Sequence, residues 1–178
     1  TARGYLNAKE QWNTQQVKDS KTYEKNFSLS PISRPVKMEN IFYEFGRWEL
    51  TQQSEEELLR LVKLLEDNPN ITIELSAHTD MKGNDEYNQE LSQKRAQSCC
   101  DFLIQHGIEK ERLTPVGYGK HKPVVADKAL HAKYTFIPQE QILDESFILT
   151  LTPEQQEICN QINRRTEFKV IKTTYNLY

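Results

Sequence analysis

His78–Ala96, HTDMKGNDEYNQELSQKRA, sets an acid, a side-chain amide and a base in a turn that runs into a helix. The rest of the chain reads as scaffold for it. The spacing predicts a helix from near Glu86 that turns Leu91, Cys99 and Phe102 inward, so Asn88 and Arg95, two turns apart, lie on one flank beside Leu91. Asp80 precedes the helix and can sit across from them. A carboxylate, an amide and a guanidinium around a small concavity suit a zwitterion: Asp80 takes an ammonium, and the Arg95 fork takes a carboxylate through two parallel hydrogen bonds. Lysine could not supply that fork. The same charges also permit a plain alternative, in which Asp80 and Arg95 pair with each other and pin the loop to the helix.

Working upstream, Ile71, Ile73, Leu75 and Ala77 alternate with Thr72, Glu74, Ser76 and His78, the pattern of a half-buried strand that ends at the HTD turn. Before it, Leu58, Leu61, Val62 and Leu65 recur at helical spacing behind Ser54-Glu55-Glu56-Glu57, which reads as a capping box, and Asn68-Pro69-Asn70 ends that helix. Val36 to Phe45 alternates in part and is rich in aromatics, so it reads as a first core strand. Downstream, Gly107 suits the left-handed residue that closes the second helix, and Leu113 to Tyr118 reads as a third strand. Strands separated by helices of this length predict a two-layer α/β sandwich with both helices on one face of a small sheet. Gly117 and Gly119 place Tyr118 in a tight turn.

After Pro123 about forty residues intervene before Asn163-Arg164-Arg165. This stretch, about 120–160, reads as an insertion with a strand or turn around Tyr134 to Ile137 and an apolar run at Phe147-Ile148-Leu149. An extra helix opens at Thr152-Pro153-Glu154-Gln155, with Ile158 and Ile162 as its buried stripe and Arg164-Arg165 at its C-terminal end. Phe168, Val170 and Ile171 form a final strand. Residues 1–34, polar and weakly periodic around Tyr5, Trp12 and Tyr23, read as a linker or the remnant of an upstream domain, in which Gly4-Tyr5-Leu6 has the look of a last strand. Pro31, Pro35 and the serines around Phe27 punctuate the entry to the domain at 35–178.

At 178 residues with 37% hydrophobic residues, the chain is long enough for one full core. No stretch approaches the roughly 18 consecutive apolar residues that cross a bilayer. The start, Thr1-Ala2-Arg3, reads as neither a signal peptide nor an initiator methionine, so a piece of a longer protein is expected. A formal net charge of −3, from 26 acids and 23 bases, supplies no basic footprint for nucleic acid. The three cysteines, Cys99, Cys100 and Cys159, have no metal-ligand spacing and read as buried small side chains, silent on compartment. His78 with Asp80, joined by His121 or His131, resembles neither a helical HExxH nor a paired Cys/His site, and His78 reads as a strand-end imidazole hydrogen-bonded to the turn. There is no GxSxG elbow and no marked nucleophile, so no enzyme, cofactor or metal is expected. Trp48 and Tyr118 could stack on a sugar, though a partly buried aromatic is the commoner use of either.

The run HTD, Gly83, Asn88, Leu91-Ser92, Arg95-Ala96, Gly107-Ile108, Arg112-Leu113, Gly117-Tyr118-Gly119 and Asn163-Arg164-Arg165 resembles the OmpA-like (OmpA/MotB/Pal) peptidoglycan-binding domain over about Val36 to Val170. That resemblance implies a β-α-β-α-β core, in the α/β (α+β) class, with a late insertion. It also implies non-covalent binding of peptidoglycan through the meso-diaminopimelate of the stem peptide. The matching positions are Asp80, Asn88, Arg95 and Arg164, with Leu91 along the apolar stem and Thr79 of the HTD run in the same site. The implied role is to anchor an envelope or outer-membrane protein to the cell wall from the periplasm. Membrane contact would come only through parts absent from this sequence. The alternative is a protein–protein module of the envelope in which the pocket is vestigial and other envelope proteins are the partners. One departure stands out: Gly46 lies where many members carry Asp or Asn.

Overall fold

The computed structural model describes residues 4–10, 24, 26, 29, 32–39, 41–44 and 46–175. Its elements are β1 (Val36–Met38), α1 (Gln52–Asp67), β2 (Thr72–His78), α2 (Asp85–Gln105), β3 (Leu113–Gly117), α3 (Lys128–Lys133), α4 (Glu145–Ile148), α5 (Pro153–Asn163) and β4 (Arg165–Lys172). They form one sheet in the order β1-β4-β2-β3. β2 runs parallel to β3, and β4 lies antiparallel between β1 and β2. The alternation in β2 sends Ile73, Leu75 and Ala77 to one face, where they meet Leu58, Leu61 and Leu65 of α1 and Ala96, Cys99 and Leu103 of α2. Each large side chain buried there contributes about 1.5–3 kcal/mol. Both helices therefore cover one face of the sheet, in the expected two-layer arrangement.

α2 approaches the sheet closely because its inward positions are small: Ser92, Ala96, Cys99 and Cys100 are all buried. β3 is an edge strand, and α2 satisfies part of it. Gly117 N donates to Gln93 Oε1 (2.8 Å), Gln89 Nε2 donates to Gly117 O (2.7 Å) and Gln93 Nε2 donates to Pro115 O (3.2 Å). A proline is tolerated in such a strand because its missing N–H faces away from the ladder. Arg112, from the Arg112-Leu113 pair of the sequence, is buried and closes the other end of the helix layer. Its guanidinium donates at 2.7–3.0 Å to the carbonyl of Leu65, in the last turn of α1, and to those of Asn68 and Ile71 in the turn beyond it.

The structure corrects several expected boundaries. β1 spans three residues rather than running to Phe45: Ile41 is buried and Tyr43 packs on the core, but both do so from an irregular segment, and Phe45 lies outside the described residues. Thr51, not Ser54, caps α1, with its Oγ1 accepting Ser54 N at 3.2 Å. Ser54 is fully buried because its hydroxyl holds Phe42, accepting from its N–H and donating to its carbonyl at 2.8 Å each. Asn84 caps α2, and Gly107, at φ 91°, follows its end. Residues 4–10 pack onto the domain: Leu6 is buried in the main core, and Asn7 N donates to Asn68 Oδ1 at 2.8 Å. Trp12, Tyr23, Phe27 and Pro31 lie outside the described residues.

The stretch after β3 makes a second, smaller core of Ala126, Ile137, Leu143, Ile148 and Cys159. Tyr134–Ile137 is a turn, and the Phe147–Leu149 run falls largely in the short α4. Thr152 and Gln155 form the capping box of α5, with Pro153 at its first position. The inward stripe of α5 is Cys159, Asn160 and Asn163 rather than Ile158 and Ile162, which are only half-buried. Asn163 explains the shift: it accepts from Val124 N (2.9 Å) and donates to Leu143 O (2.7 Å), clamping this segment to the helix end. All three cysteines are free and buried, and burial pushes the Cys99 and Cys100 thiols up to about 12.

Candidate functional site

Above the C-terminal end of β2 lies a cleft of about 410 Å³ lined by Thr79, Asp80, Asn88, Leu91, Arg95 and Arg164, together with Tyr43, Glu44, Gly46, Lys82, Gly83, Tyr87 and Glu157. All six residues singled out in the sequence thus share one cleft. The strand end supplies Thr79 and Asp80. One flank of α2 supplies Asn88, Leu91 and Arg95 at spacings of three and four residues, and the α5–β4 junction supplies Arg164.

Asp80 and Arg95 do not pair. Asp80 Oδ1 accepts from Lys82 N (3.0 Å), closing the turn, and its other oxygen forms a short ion pair with Arg164. Arg164 also donates to Glu157 (2.5 Å), which in turn accepts from Lys82 Nζ (2.9 Å). Asp80, Arg164, Glu157 and Lys82 therefore alternate in sign along one wall. The hydrogen bonds from Arg164 and then Lys82 hold the Glu157 carboxyl down to about 2. Burial opposes the charge on Arg164, but its bonds to Glu157 and Asp80 outweigh that and raise its pKa.

Arg95 is fixed differently. Its Nε donates to Arg47 O (2.9 Å), its Nη2 points to Glu44 O (3.4 Å), and its guanidinium lies 4.6 Å from the centre of the Tyr43 ring. It is only 8% exposed and has no carboxylate within ion-pairing distance among the described residues. Burial lowers its pKa. Asn88 is held by donating to Lys82 O (2.8 Å), which ties α2 to the loop after Asp80. Thr79 N donates to Gly119 O (2.9 Å). A guanidinium fixed by two carbonyls still has N–H groups to offer an anion, and a carboxylate with two partners still has lone pairs for an ammonium.

The cleft contains residues that sequence reasoning passed over. Glu157 lies seven residues before Arg164, two turns of helix, and that spacing is a usable signal once Arg164 is suspected. Tyr43, Tyr87 and the carbonyls of Glu44 and Arg47 carry no such signal. Gly46 has φ 67°, and a Cβ there would come within 3.1 Å of the Tyr87 hydroxyl. Asn and Asp are the side chains that tolerate this conformation best, so the turn itself accommodates the residues expected at this position.

His78 is not bonded to the turn as expected. It is 3% exposed, both ring nitrogens lack hydrogen-bond partners, and Nε2 stands 3.6 Å from Glu167. The ring stacks on Tyr118, whose hydroxyl donates to Glu74 at 2.8 Å. Trp48 is 39% exposed and carries Lys94 Nζ 4.4 Å from its ring centre. His131 bonds Ile137 O at 2.7 Å, and no group of three or more His, Cys, Asp or Glu among the described residues could hold a metal ion.

A model of the OmpA family matches residues 42–135, more than half of the chain. The chain belongs to the OmpA family. It is 34% identical over 104 residues to the outer membrane porin F of Pseudomonas fluorescens, covering 58% of this chain and 32% of that one. To a peptidoglycan-associated lipoprotein of Buchnera aphidicola it is 31% identical over 114 residues, covering 62% of this chain and 66% of that one. The chain thus spans about a third of the first relative and just under two thirds of the second. Among solved structures, a putative MotB-like protein from Desulfovibrio vulgaris aligns with a TM-score of 0.52 at 22% identity, covering 78% of this chain and 73% of that one. That likeness concerns the fold alone. Beyond the OmpA family match lie α5 and β4, and with them Glu157 and Arg164.

Proposed function

We propose that this domain binds peptidoglycan without covalent attachment, through the diaminopimelate of the stem peptide, and so tethers an envelope protein to the cell wall in the periplasm. The observation that carries the reading is a buried guanidinium, Arg95, with no carboxylate at ion-pairing distance among the described residues, in the same cleft as the Asp80 carboxylate. A ligand bearing an ammonium and a carboxylate at one end answers both charges. Its ammonium joins Asp80 beside the Lys82 N–H, its carboxylate meets the Arg95 fork, and Leu91 lies along its apolar stem. Asn88 and Thr79 hold the walls, and Arg164 fixes Asp80 in place. The names of the peptidoglycan-associated relatives support peptidoglycan as the polymer bound.

Tethering needs only modest affinity per site, because a membrane-held protein faces a wall of repeating ligands. Co-sedimentation with purified sacculi tests the reading. The native chain should pellet, while Asp80→Asn and Arg95→Lys, each checked for an unchanged circular dichroism spectrum, should stay in solution. A folded native chain that does not pellet sinks the proposal in favour of a protein–protein module with an unused cleft.

A further inference from the structure

Behind the Tyr43, Arg95 and Arg164 wall of the cleft lies a second cavity of about 510 Å³, under the segment that links β1 to α1. The two cavities share those three residues and little else. The apolar lining of the second is the buried Met38 and Ile41, with the half-exposed Phe42 at the rim. Two polar side chains in this cavity lack a hydrogen-bond partner of good geometry: His78, at both ring nitrogens, and Thr166, 1% exposed, whose hydroxyl has the Tyr43 hydroxyl as its polar neighbour. Thr166 stands opposite Ala77 in the β2–β4 ladder, so both side chains share the helix-facing side of the sheet, the side on which Tyr43 and Arg95 pack. A buried hydroxyl without a well-placed partner is costly, and so is a buried guanidinium without a counter-ion. Here both border one cavity with an apolar wall.

We propose that this second cavity is a binding site for a small carboxylate with a short apolar stem, which accepts hydrogen bonds from Thr166 Oγ1 and the Arg95 guanidinium while its stem lies on Met38, Ile41 and Phe42. Such a group is found both at the C-terminus of a peptide and in a simple aliphatic acid. Both ligands would draw on Arg95, but this site does not require peptidoglycan in the first cleft, because Thr166, Met38 and Ile41 line the second cavity and not the first.

Methyl-resolved NMR of the chain, labelled at Met, Ile and Leu methyls, separates the two sites, because Met38 and Ile41 line only the second cavity and Leu91 only the first. The chain is titrated with N-acetyl-D-alanine, butyrate, butyramide and inorganic phosphate. The expected result is a saturable shift of the Met38 and Ile41 methyls with N-acetyl-D-alanine or butyrate, larger than any shift of Leu91. Tighter binding of the first identifies a peptide C-terminus, and of the second an aliphatic acid. Thr166→Val, which keeps the shape and removes only a hydroxyl without a well-placed partner, should fold normally and weaken that binding roughly tenfold. The proposal is overturned by no saturable response, by a response confined to Leu91, by butyramide or phosphate acting as well as butyrate, or by unchanged affinity in Thr166→Val.

Discussion

Gly117→Ala is a change of one methyl group at the joint between β3 and α2, and the geometry gives its effect a size. The added Cβ would stand 2.2 Å from Gln93 N and 2.6 Å from Gln93 Cα, where ordinary contact begins near 3.4 Å. Both atoms are backbone, so no side chain can swing away, and α2 must retreat by roughly 1 Å. The retreat stretches the bonds that Gln89 and Gln93 make to Gly117. Overpacking of this kind costs about 1–3 kcal/mol, and two weakened hydrogen bonds add about 1 kcal/mol more, for a loss of about 2–4 kcal/mol. Gly117 does not have a positive φ, so contact alone is responsible. Gly107, at φ 91° with open space around its missing Cβ, is the control: Gly107→Ala should lose only about 1–2 kcal/mol, from backbone strain. Urea unfolding followed by circular dichroism reads both. With a slope of about 2–3 kcal/mol per molar, the midpoint of Gly117→Ala should fall by about 1–2 M. Because α2 carries Asn88, Leu91 and Arg95, ligand affinity should fall with it. A stability loss under about 1 kcal/mol for Gly117→Ala, or a larger loss for Gly107→Ala, refutes the reasoning.

Arg112→Met keeps much of the side chain's bulk but removes three charged hydrogen bonds from the carbonyls of Leu65, Asn68 and Ile71, the first two of which keep a backbone donor, so urea unfolding should show a loss of about 3–5 kcal/mol with sacculus binding retained in the folded fraction. Burial would raise the Glu167 carboxyl, but the His78 ring and the Arg165 guanidinium beside it bring it down to about 2. A depressed carboxylate contributes stability in full above its unfolded value of about 4.3 and loses it as pH falls from there towards 2, so Glu167→Gln should flatten that part of a stability–pH curve. Burial also lowers the pKa of His78, which therefore favours the folded state above its unfolded value of about 6.5 and less so as pH falls below it; His78→Gln should remove that slope. Gly46→Asp fits the backbone turn but crowds the Tyr87 hydroxyl, so stability should change by less than about 1 kcal/mol in thermal unfolding while the Tyr87 ring resonances move.

Legibility in the sequence followed how local each constraint was. The strand at 72–78, the Leu91 and Cys99 positions of α2 and the Thr152-Pro153 opening of α5 are set by neighbours a few residues away and appear where their patterns place them. The strand read as half-buried is instead buried on both faces, because α1 and α2 cover one side and Thr72, Ser76 and His78 are covered on the other, and Leu103 takes the fully buried place expected of Phe102. The alternation in Val36–Phe45 reported burial of Ile41 and Tyr43 correctly but not strand pairing, because a segment can bury alternate side chains without joining a ladder. Ser54 looked like a cap because its hydroxyl is the usual capping group; a backbone twelve residues away claims it instead. The position of β4 between β1 and β2 depends on pairings across more than eighty-five residues, which no local pattern encodes. The site shows the same division. Asn88, Leu91 and Arg95 share a flank because helix geometry requires it, whereas the partner of Asp80 turned out to be Arg164, eighty-four residues away, and not Arg95.

The most direct measurement of the central claim is calorimetric titration of the native chain, Asp80→Ala and Arg95→Ala with a stem peptide containing meso-diaminopimelate and with one containing lysine in its place, after each variant is shown to be folded. Lysine retains a terminal amine but lacks the second carboxylate, so Arg95 would be left without its partner. The account expects binding that is selective for diaminopimelate and weakened by about 2–5 kcal/mol in each variant. Equal binding of the two peptides, or a native chain that binds neither, contradicts it.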